Sequence, residues 1–186
     1  HALFMAIMGL ESRELVIADV GTGCGAIAVN LAIHLPAARI YAVDISDGVL
    51  DVASYNVRAH NVADRVTLGK GDLLDPVPEP VDLIVANLPY IPPGRIATLQ
   101  PEIQWEPREA LDGGAEGLEP ISRLLSQAPG KVKDHATILL ELDPEQVPEV
   151  EEIARRHFPD ATLSVEQDLA HQDRIFVVSQ GGGEEV

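Results

Sequence analysis

The chain has 186 residues, of which 46% are hydrophobic, so it is long and apolar enough to form one globular domain with a sizeable core. Its 30 acidic and 13 basic residues give a net charge of −17, which weighs against nucleic-acid binding and fits a cationic ligand, a basic protein partner or simple solubility. No apolar run approaches the ~20 residues of a membrane span, no secretory signal is visible, and a single cysteine excludes an internal disulfide framework, so we expect a cytoplasmic protein.

Predicted strands and helices alternate along the sequence. In chain order, the strands lie at 15–20, 40–43, 66–68, 81–86, 136–142, 162–165 and 174–178, and the helices at 26–35, 46–61, 118–128 and 145–158. This alternation is typical of βαβ units, and the apolar strands fit a mostly parallel seven-stranded sheet with helices on both faces. The last two strands have no helix between them, which predicts an antiparallel terminal hairpin. We therefore predict an α/β fold.

One domain, at 11–180, accounts for all of these elements. Residues 1–10 are apolar and are predicted to be the remnant of an N-terminal helical segment, and residues 181–186 are predicted to be a disordered tail. Residues 87–116 are rich in Pro, Gly and Glu and are longer than an ordinary connection, which makes this segment a functional candidate. The six histidines are scattered without metal-ligand spacing, so we expect no metal site.

A glycine-rich loop follows the first predicted strand, in DVGTGCGAIAV at residues 19–29. Gly21, Gly23 and Gly25 allow a tight turn and the close approach of a ligand to the backbone. The GxGxG spacing is one residue shorter than the dinucleotide-binding GxGxxG, and a purely structural turn would also explain it. Its position between a strand and a helix favours a ligand-binding loop.

Two acidic residues follow the glycine loop at strand ends. Asp44 ends the second strand about 20 residues after the loop, where a carboxylate can accept hydrogen bonds from both hydroxyls of a ribose. A helix cap is the alternative role for Asp44, but Ser46 is placed to fill it. Asp72 follows the third strand and is either a turn residue or an acceptor for an adenine amino group, with Ile45 and Leu73 as apolar walls for the ring.

These carboxylates also limit the kind of ligand. Together with Asp19 at the end of the first strand, Asp44 and Asp72 would repel a pyrophosphate, and the glycine loop contains no lysine or arginine. S-adenosylmethionine suits these charges better, because it has a ribose, an adenine and cationic groups but no phosphate. The pattern of charge therefore predicts this cofactor over a dinucleotide.

The segment DLIVANLPYIPP, at 82–93, ends a predicted core strand with an amide, a turn and an aromatic ring. Asn87 and Pro89 are common strand terminators, and Tyr90 on its own is compatible with a core aromatic. The other interpretation is that Asn87 and Tyr90 hold a small planar group at the mouth of a pocket. The combination of all three residues favours the second interpretation.

With these motifs in place, the chain resembles the class I S-adenosylmethionine-dependent methyltransferases, and among them the protein-glutamine methyltransferases that modify peptide chain release factors. The resemblance covers roughly 16–178 and rests on DVGTGCGAIAV, AVDIS, DLIVANLPYIP and EPREALDGGAEGL, of which the last, at 106–118, is the most specific. It implies a Rossmann-like fold with the methyltransferase domain at 11–180. It also implies an N-terminal helical docking domain, which would here be absent or reduced to residues 1–10.

The resemblance also implies roles for individual residues. The cofactor would be bound by Asp19, Gly21, Thr22, Gly23, Gly25, Asp44, Ile45, Asp72, Leu73 and Asn87. The acceptor amide would be bound by Asn87, Leu88, Pro89 and Tyr90, of which Asn87, Pro89 and Tyr90 are the catalytic residues. The family has proline where this chain has Leu88, and leucine keeps a backbone N–H and loosens φ. The Asn87 amide and the Leu88 carbonyl would then accept the two N–H groups of the acceptor nitrogen.

The expected reaction transfers a methyl group from S-adenosylmethionine to a glutamine amide in a protein, with S-adenosylhomocysteine as the product. The resemblance points to a release factor with its acceptor in a Gly-Gly-Gln loop, although a related branch modifies a ribosomal protein. A nucleic-acid methyltransferase acting on adenine N6 or guanine N2 is an alternative that the net charge opposes. A catalytically idle cofactor-binding module is a second alternative, and a dehydrogenase is disfavoured by the glycine spacing.

Overall fold

The computed structural model describes residues 14–100, 105, 107–168 and 170–181. The strands are β1 (Val16–Val20), β2 (Arg39–Asp44), β3 (Val66–Lys70), β4 (Val81–Ala86), β5 (Val132–Glu141), β6 (Thr162–Gln167) and β7 (Asp173–Ser179). The α-helices are α1 (Ala26–His34), α2 (Asp47–Ala59), α3 (Pro93–Ile96), α4 (Glu119–Gln127) and α5 (Val147–His157). The predicted N-terminal remnant and the predicted tail beyond residue 181 lie outside the described residues.

The seven strands form one sheet in the order β3-β2-β1-β4-β5-β7-β6. The first five strands pair in parallel, and β7 runs antiparallel to both β5 and β6. The mostly parallel sheet and the antiparallel terminal hairpin are thus confirmed. The strand order reverses its direction between β1 and β4, and in sheets of this kind ligands bind outside the carboxyl ends of the strands at such a point.

Both faces of the sheet are buried, because side chains alternate between two hydrophobic clusters along each central strand. On one face, Ile17 and Leu83 pack with the apolar residues of α1 and with Val57 of α2. On the other face, Ala18 and Ile84 pack with residues of α4 and α5. This period of two explains why the strands read as continuous apolar runs in the sequence, and it confirms helices on both faces.

The structure differs from the sequence-based prediction at several element boundaries and by one additional helix. Strand β5 begins at Val132 and not at 136; the prediction started the strand late because residues 133–135 are polar and exposed, and the register with β4 is irregular there. Pro144–Gln146 form a 3-10 turn ahead of α5, with the Asp143 carboxylate accepting the Glu145 N–H at 3.1 Å. The short helix α3 lies in the long segment that was predicted without regular structure. Within the described ranges, no helix is both long and apolar enough to cross a membrane.

Candidate functional site

Four of the predicted site segments meet at the carboxyl edge of the sheet. Val20 of β1 pairs with Val43 of β2 on one side and with Ala86 of β4 on the other, so the residues that follow these strand ends are neighbours. The Gly71 N–H donates to the Asp44 carbonyl at 3.0 Å, which brings the loop after β3 to the same edge. The glycine loop, Asp44, the loop containing Asp72 and the segment starting at Asn87 therefore lie side by side at this edge, where sheets of this kind have their ligand crevice.

The glycine loop is held tightly against β2. The N–H groups of Gly21 and Thr22 both donate to the Val43 carbonyl at 2.9 Å. Gly21, Gly23 and Gly25 have φ values of 71°, 55° and 79°, in the left-handed region that side chains other than glycine rarely adopt. The turn therefore favours glycine at all three positions, and its backbone lies at the carboxyl edge of the sheet.

Asp19 is fully buried beneath this loop. Its Oδ2 accepts the Thr22 hydroxyl at 2.6 Å and the Ala28 N–H at 3.0 Å, whereas its Oδ1 has no partner among the described residues. Burial raises the pKa of Asp19 from 3.8 to about 6, although both hydrogen bonds act in the opposite direction and nearby Asp44 adds to the rise. A buried carboxylate with one unpaired oxygen fits a cationic ligand group such as an ammonium.

The Asp44 carboxylate is positioned by hydrogen bonds from two backbone N–H groups. Its Oδ2 accepts the Gly23 N–H and its Oδ1 accepts the Ser46 N–H, each at 3.0 Å. Ser46 occupies the N-cap position of α2 as predicted, although its side chain makes no capping hydrogen bond. Each Asp44 oxygen keeps a second lone pair for a ligand hydroxyl. Ile45 beside it is 68% exposed, which leaves an apolar surface for a flat ring.

The loop after β3 is supported by helix α4. The Asp72 carboxylate forms an ion pair with Arg123, and the Leu74 N–H donates to Gln127 Oε1 at 3.0 Å. Leu73 between them is partly buried and has a φ of 50°, an unusual conformation for leucine. Arg123 and Gln127 are four positions apart and so lie on one face of α4. The sequence analysis did not single out either of them.

Asn87 is exposed at the end of β4, and no described residue forms a hydrogen bond with its side-chain amide. Leu88 differs in placement, because it is only 5% exposed and belongs to the core. A Cβ at Gly21 would lie 2.9 Å from Leu88 Cδ2, so the leucine side chain packs directly under the glycine loop. Only the backbone of Leu88 is thus available to a ligand, while Pro89 and Tyr90 are half-buried.

The described part of the 106–118 motif packs against the turn at Tyr90. The Ile91 N–H donates to the Leu111 carbonyl, and the Gly113 N–H donates to the Ile91 carbonyl, each at 3.0 Å. A Cβ at Gly113 would lie 2.7 Å from the Tyr90 Cα, and a Cβ at Gly117 would collide with the Tyr90 carbonyl oxygen. These glycines are therefore required by the close approach of the two backbones.

Tyr90 lies beside two charged residues that the sequence analysis missed, Glu141 at the carboxyl end of β5 and Arg174 near the start of β7. Burial, and then the negative charge of Glu141, raises the pKa of the Tyr90 hydroxyl, while Arg174 acts in the opposite direction. Burial also raises the pKa of Glu141, and Arg174 again opposes the rise. No cluster of three or more metal-binding side chains occurs among the described residues.

The sequence profile of the methyltransferase small domain family matches residues 2–111. The release factor glutamine methyltransferase of Moorella thermoacetica is 43% identical over 166 residues, covering 89% of this chain and 59% of that protein. The ribosomal protein uL3 glutamine methyltransferase of Bradyrhizobium diazoefficiens is 42% identical over 125 residues, covering 67% of this chain and 39% of that protein. This chain thus spans less than two thirds of the length of these curated relatives.

Solved structures share the fold. The crystal structure of a methyltransferase from Pyrococcus furiosus matches with a TM-score of 0.72 at 14% identity, covering 97% of this chain and 82% of that chain. The ribosomal protein L11 methylase of Lactobacillus delbrueckii subsp. bulgaricus matches with a TM-score of 0.68 at 23% identity, covering 96% of this chain and 75% of that chain. The predicted class I methyltransferase architecture is therefore confirmed.

Proposed function

The chain belongs to the methyltransferase small domain family, and from this membership and the geometry of the crevice we propose that it methylates a glutamine side-chain amide in a protein, with S-adenosylmethionine as the donor. The observation that carries the proposal is the exposed side-chain amide of Asn87 beside the glycine loop, which forms no hydrogen bond with any described residue. The similarity to release factor glutamine methyltransferases supports a peptide chain release factor as the substrate. Because release factors act in translation, this substrate also supports a cytoplasmic location.

The residues of the crevice fit this cofactor. The unpaired oxygen of the buried Asp19 carboxylate would accept from its ammonium group, and the glycine loop at Gly21–Gly25 would lie along its methionine part. The free lone pairs of Asp44 would accept from the ribose hydroxyls, and Ile45 and Leu73 would contact the adenine. When bound, S-adenosylmethionine supplies a methyl group on a sulfonium, which is an excellent leaving group.

The contribution of this chain is to orient the acceptor amide. An amide nitrogen is a poor nucleophile, because its lone pair is delocalised into the carbonyl group. The Asn87 side-chain oxygen and the Leu88 carbonyl would accept its two N–H groups and fix the direction of the nitrogen, while the Tyr90 ring would cover the amide plane and exclude water. The proton can leave after the nitrogen becomes quaternary and acidic, so the proposal requires no titrating base for the attack.

A nucleic-acid substrate is less consistent with the molecule. An exocyclic amine of adenine or guanine is also conjugated and could use the same two acceptors. However, the net charge of −17 would repel a phosphate backbone. This net charge favours a protein acceptor.

The proposal is tested by mass spectrometry of a release factor after incubation with the chain and isotopically labelled S-adenosylmethionine. We expect the mass of one added methylene on the glutamine of the Gly-Gly-Gln loop. A release factor with that glutamine replaced by asparagine is the matched control and should stay unlabelled. Labelled RNA together with unlabelled protein would instead support the nucleic-acid alternative, and cofactor binding without any transfer would support the idle module.

Replacing Asp44 by asparagine should weaken binding of S-adenosylmethionine about tenfold, because two charge-assisted hydrogen bonds to the ribose would be lost or inverted. Calorimetry at pH 7 measures the dissociation constant. Asp51→Asn, on the exposed side of α2, is the matched control and should leave it unchanged. Equal affinities for the Asp44 variant and the unaltered chain would show that this carboxylate only shapes the turn.

A further inference from the structure

Gln146 is a buried polar side chain that joins three segments on the acceptor side of the crevice. It lies in the 3-10 turn before α5 and is 8% exposed. Its Nε2 donates to the carbonyl oxygens of Tyr90 at 3.0 Å, Gly117 at 3.2 Å and Glu116 at 3.4 Å, and its Oε1 accepts the Asp143 N–H at 3.2 Å. One amide group thus connects the turn after β4, the segment at 113–117 (the glycine-rich segment) and the loop after β5.

The packing around this amide allows little adjustment. Gly117 has a φ of 76°, and a Cβ there would collide with the Tyr90 carbonyl oxygen and lie 2.7 Å from Gln146 Nε2. At the surface, Arg95 of α3 approaches Asp143 at 3.4 Å and Glu145 at 3.5 Å, which attaches the same two loops a second time. The exposed pair contributes little in comparison with the buried amide.

The cofactor side has a separate support. Gln127 Oε1 accepts the Leu74 N–H, and Arg123 pairs with Asp72, so helix α4 holds the loop proposed to contact adenine. Gln146 precedes α5 and holds the turn proposed to contact the acceptor. The two glutamines therefore make comparable side-chain contacts to backbone, on opposite halves of the crevice.

We propose that Gln146 is a positioning residue for methyl transfer. It fixes the backbone of the Asn87–Tyr90 turn against the glycine-rich segment, and thereby sets where the acceptor nitrogen is held, without contacting the cofactor. The inference rests on the proposed function of the same site. Its physical basis is that a displacement of about 1 Å at the reacting atoms can lower a rate about a hundredfold.

Kinetics of three variants test the proposal. Gln146→Leu keeps the buried volume and removes all hydrogen bonds, whereas Gln146→Glu keeps the acceptor for the Asp143 N–H and loses the donor when ionised. For both variants we expect kcat/KM for a release factor to fall roughly ten- to hundredfold, with an unchanged dissociation constant for S-adenosylmethionine. The matched variant Gln127→Leu should weaken cofactor binding about tenfold and keep kcat at saturating cofactor.

Amide hydrogen exchange provides a measurement that does not depend on activity. In Gln146→Leu, exchange of 88–91 and 111–118 should accelerate about tenfold, while exchange of β1 and β4 stays slow and shows that the chain is folded. Unchanged exchange in these two segments would overturn the inference about Gln146. This measurement is independent of the proposed function, because it can be made even if the unaltered chain fails to methylate a release factor. With an active unaltered chain, equal kcat and KM in both Gln146 variants would overturn the inference as well.

Discussion

Replacement of Asn87 by alanine is expected to lower kcat for methyl transfer to a release factor roughly 10²- to 10³-fold, the range measured when one positioned polar group is removed from other active sites. The exposed Asn87 amide has no partner among the described residues, so its removal should not disturb the local fold. The loss would fall on the chemical step, because the acceptor nitrogen would keep only the Leu88 carbonyl as an orienting group. The binding of cofactor should change far less, since Asp19 and Asp44 are retained.

Single-turnover transfer of a labelled methyl group at saturating cofactor measures this step directly. Asn30→Ala is the matched control, because Asn30 lies on the exposed side of α1 and, among the described residues, its side chain donates only to the Ala26 carbonyl of its own helix. It should transfer at the unaltered rate. A near-normal rate in Asn87→Ala would show that this amide does not orient the acceptor, and the proposed mechanism would be wrong.

The fold was predictable because its elements are encoded locally. Central strands such as 81–86 are buried on both faces and read as continuous apolar runs, whereas residues 133–135 near the start of β5 are polar and exposed, so the sequence did not indicate that the strand begins before 136. The order of the last two strands was not predictable in the same way. The position of β7 between β5 and β6 depends on contacts such as Leu140 with Phe176, which are distant in sequence.

The crevice followed from one rule, that parallel strands present their carboxyl ends at a common edge. This rule was sufficient to bring together the glycine loop, Asp44, Asp72 and Asn87, although their binding roles remain proposals. The supports of the site could not be found in this way. Gln146 and Arg123 are polar residues around helices, and their partners Tyr90 and Asp72 lie 56 and 51 positions away.

The motif at 106–118 was also only partly interpretable from the sequence. Its glycines could be recognised by resemblance, but nothing in the sequence explains why glycine is needed there. The structure supplies the reason for Gly113 and Gly117, because the backbone of Tyr90 occupies the space that a side chain would fill. Leu88 is explained similarly, since its side chain contacts Gly21 in the core and leaves only its backbone for a ligand.

Binding of S-adenosylmethionine is expected to weaken about tenfold between pH 7 and pH 5, because Asp19 must be ionised to accept from the ammonium group. Burial raises the pKa of Asp19 to about 6 in the free chain, so most of the carboxyl groups are ionised at pH 7 and only about a tenth at pH 5. Binding at pH 6 should release a proton. Calorimetry in two buffers of different ionisation enthalpy measures both the affinity and the released proton.

Asp19→Asn separates this residue from other groups that titrate in the same range. Asparagine can still accept from the Thr22 hydroxyl and the Ala28 N–H, so the loop should keep its shape. We expect weak cofactor binding at pH 7 that no longer strengthens from pH 5 to pH 7. A variant that keeps the full pH dependence would assign the titration to another group.

The raised pKa of Asp19 also affects the stability of the folded chain. Cofactor binding should strengthen as the pH rises, whereas the contribution of Asp19 to stability should decrease. In the cofactor-free chain, Asp19 holds its proton more tightly in the folded state than in the unfolded state. The contribution of Asp19 to the free energy of unfolding is therefore greatest below pH 3.8 and is lost as the pH rises through about 6. A shift of about two pKa units corresponds to roughly 3 kcal/mol. Asp19→Asn should therefore be more stable than the unaltered chain at pH 7, and this advantage should shrink towards pH 4. Urea unfolding at pH 7 and pH 4 measures the difference in stability between Asp19→Asn and the unaltered chain. If the variant were less stable than the unaltered chain at pH 7, the buried charge of Asp19 would already be compensated without the cofactor.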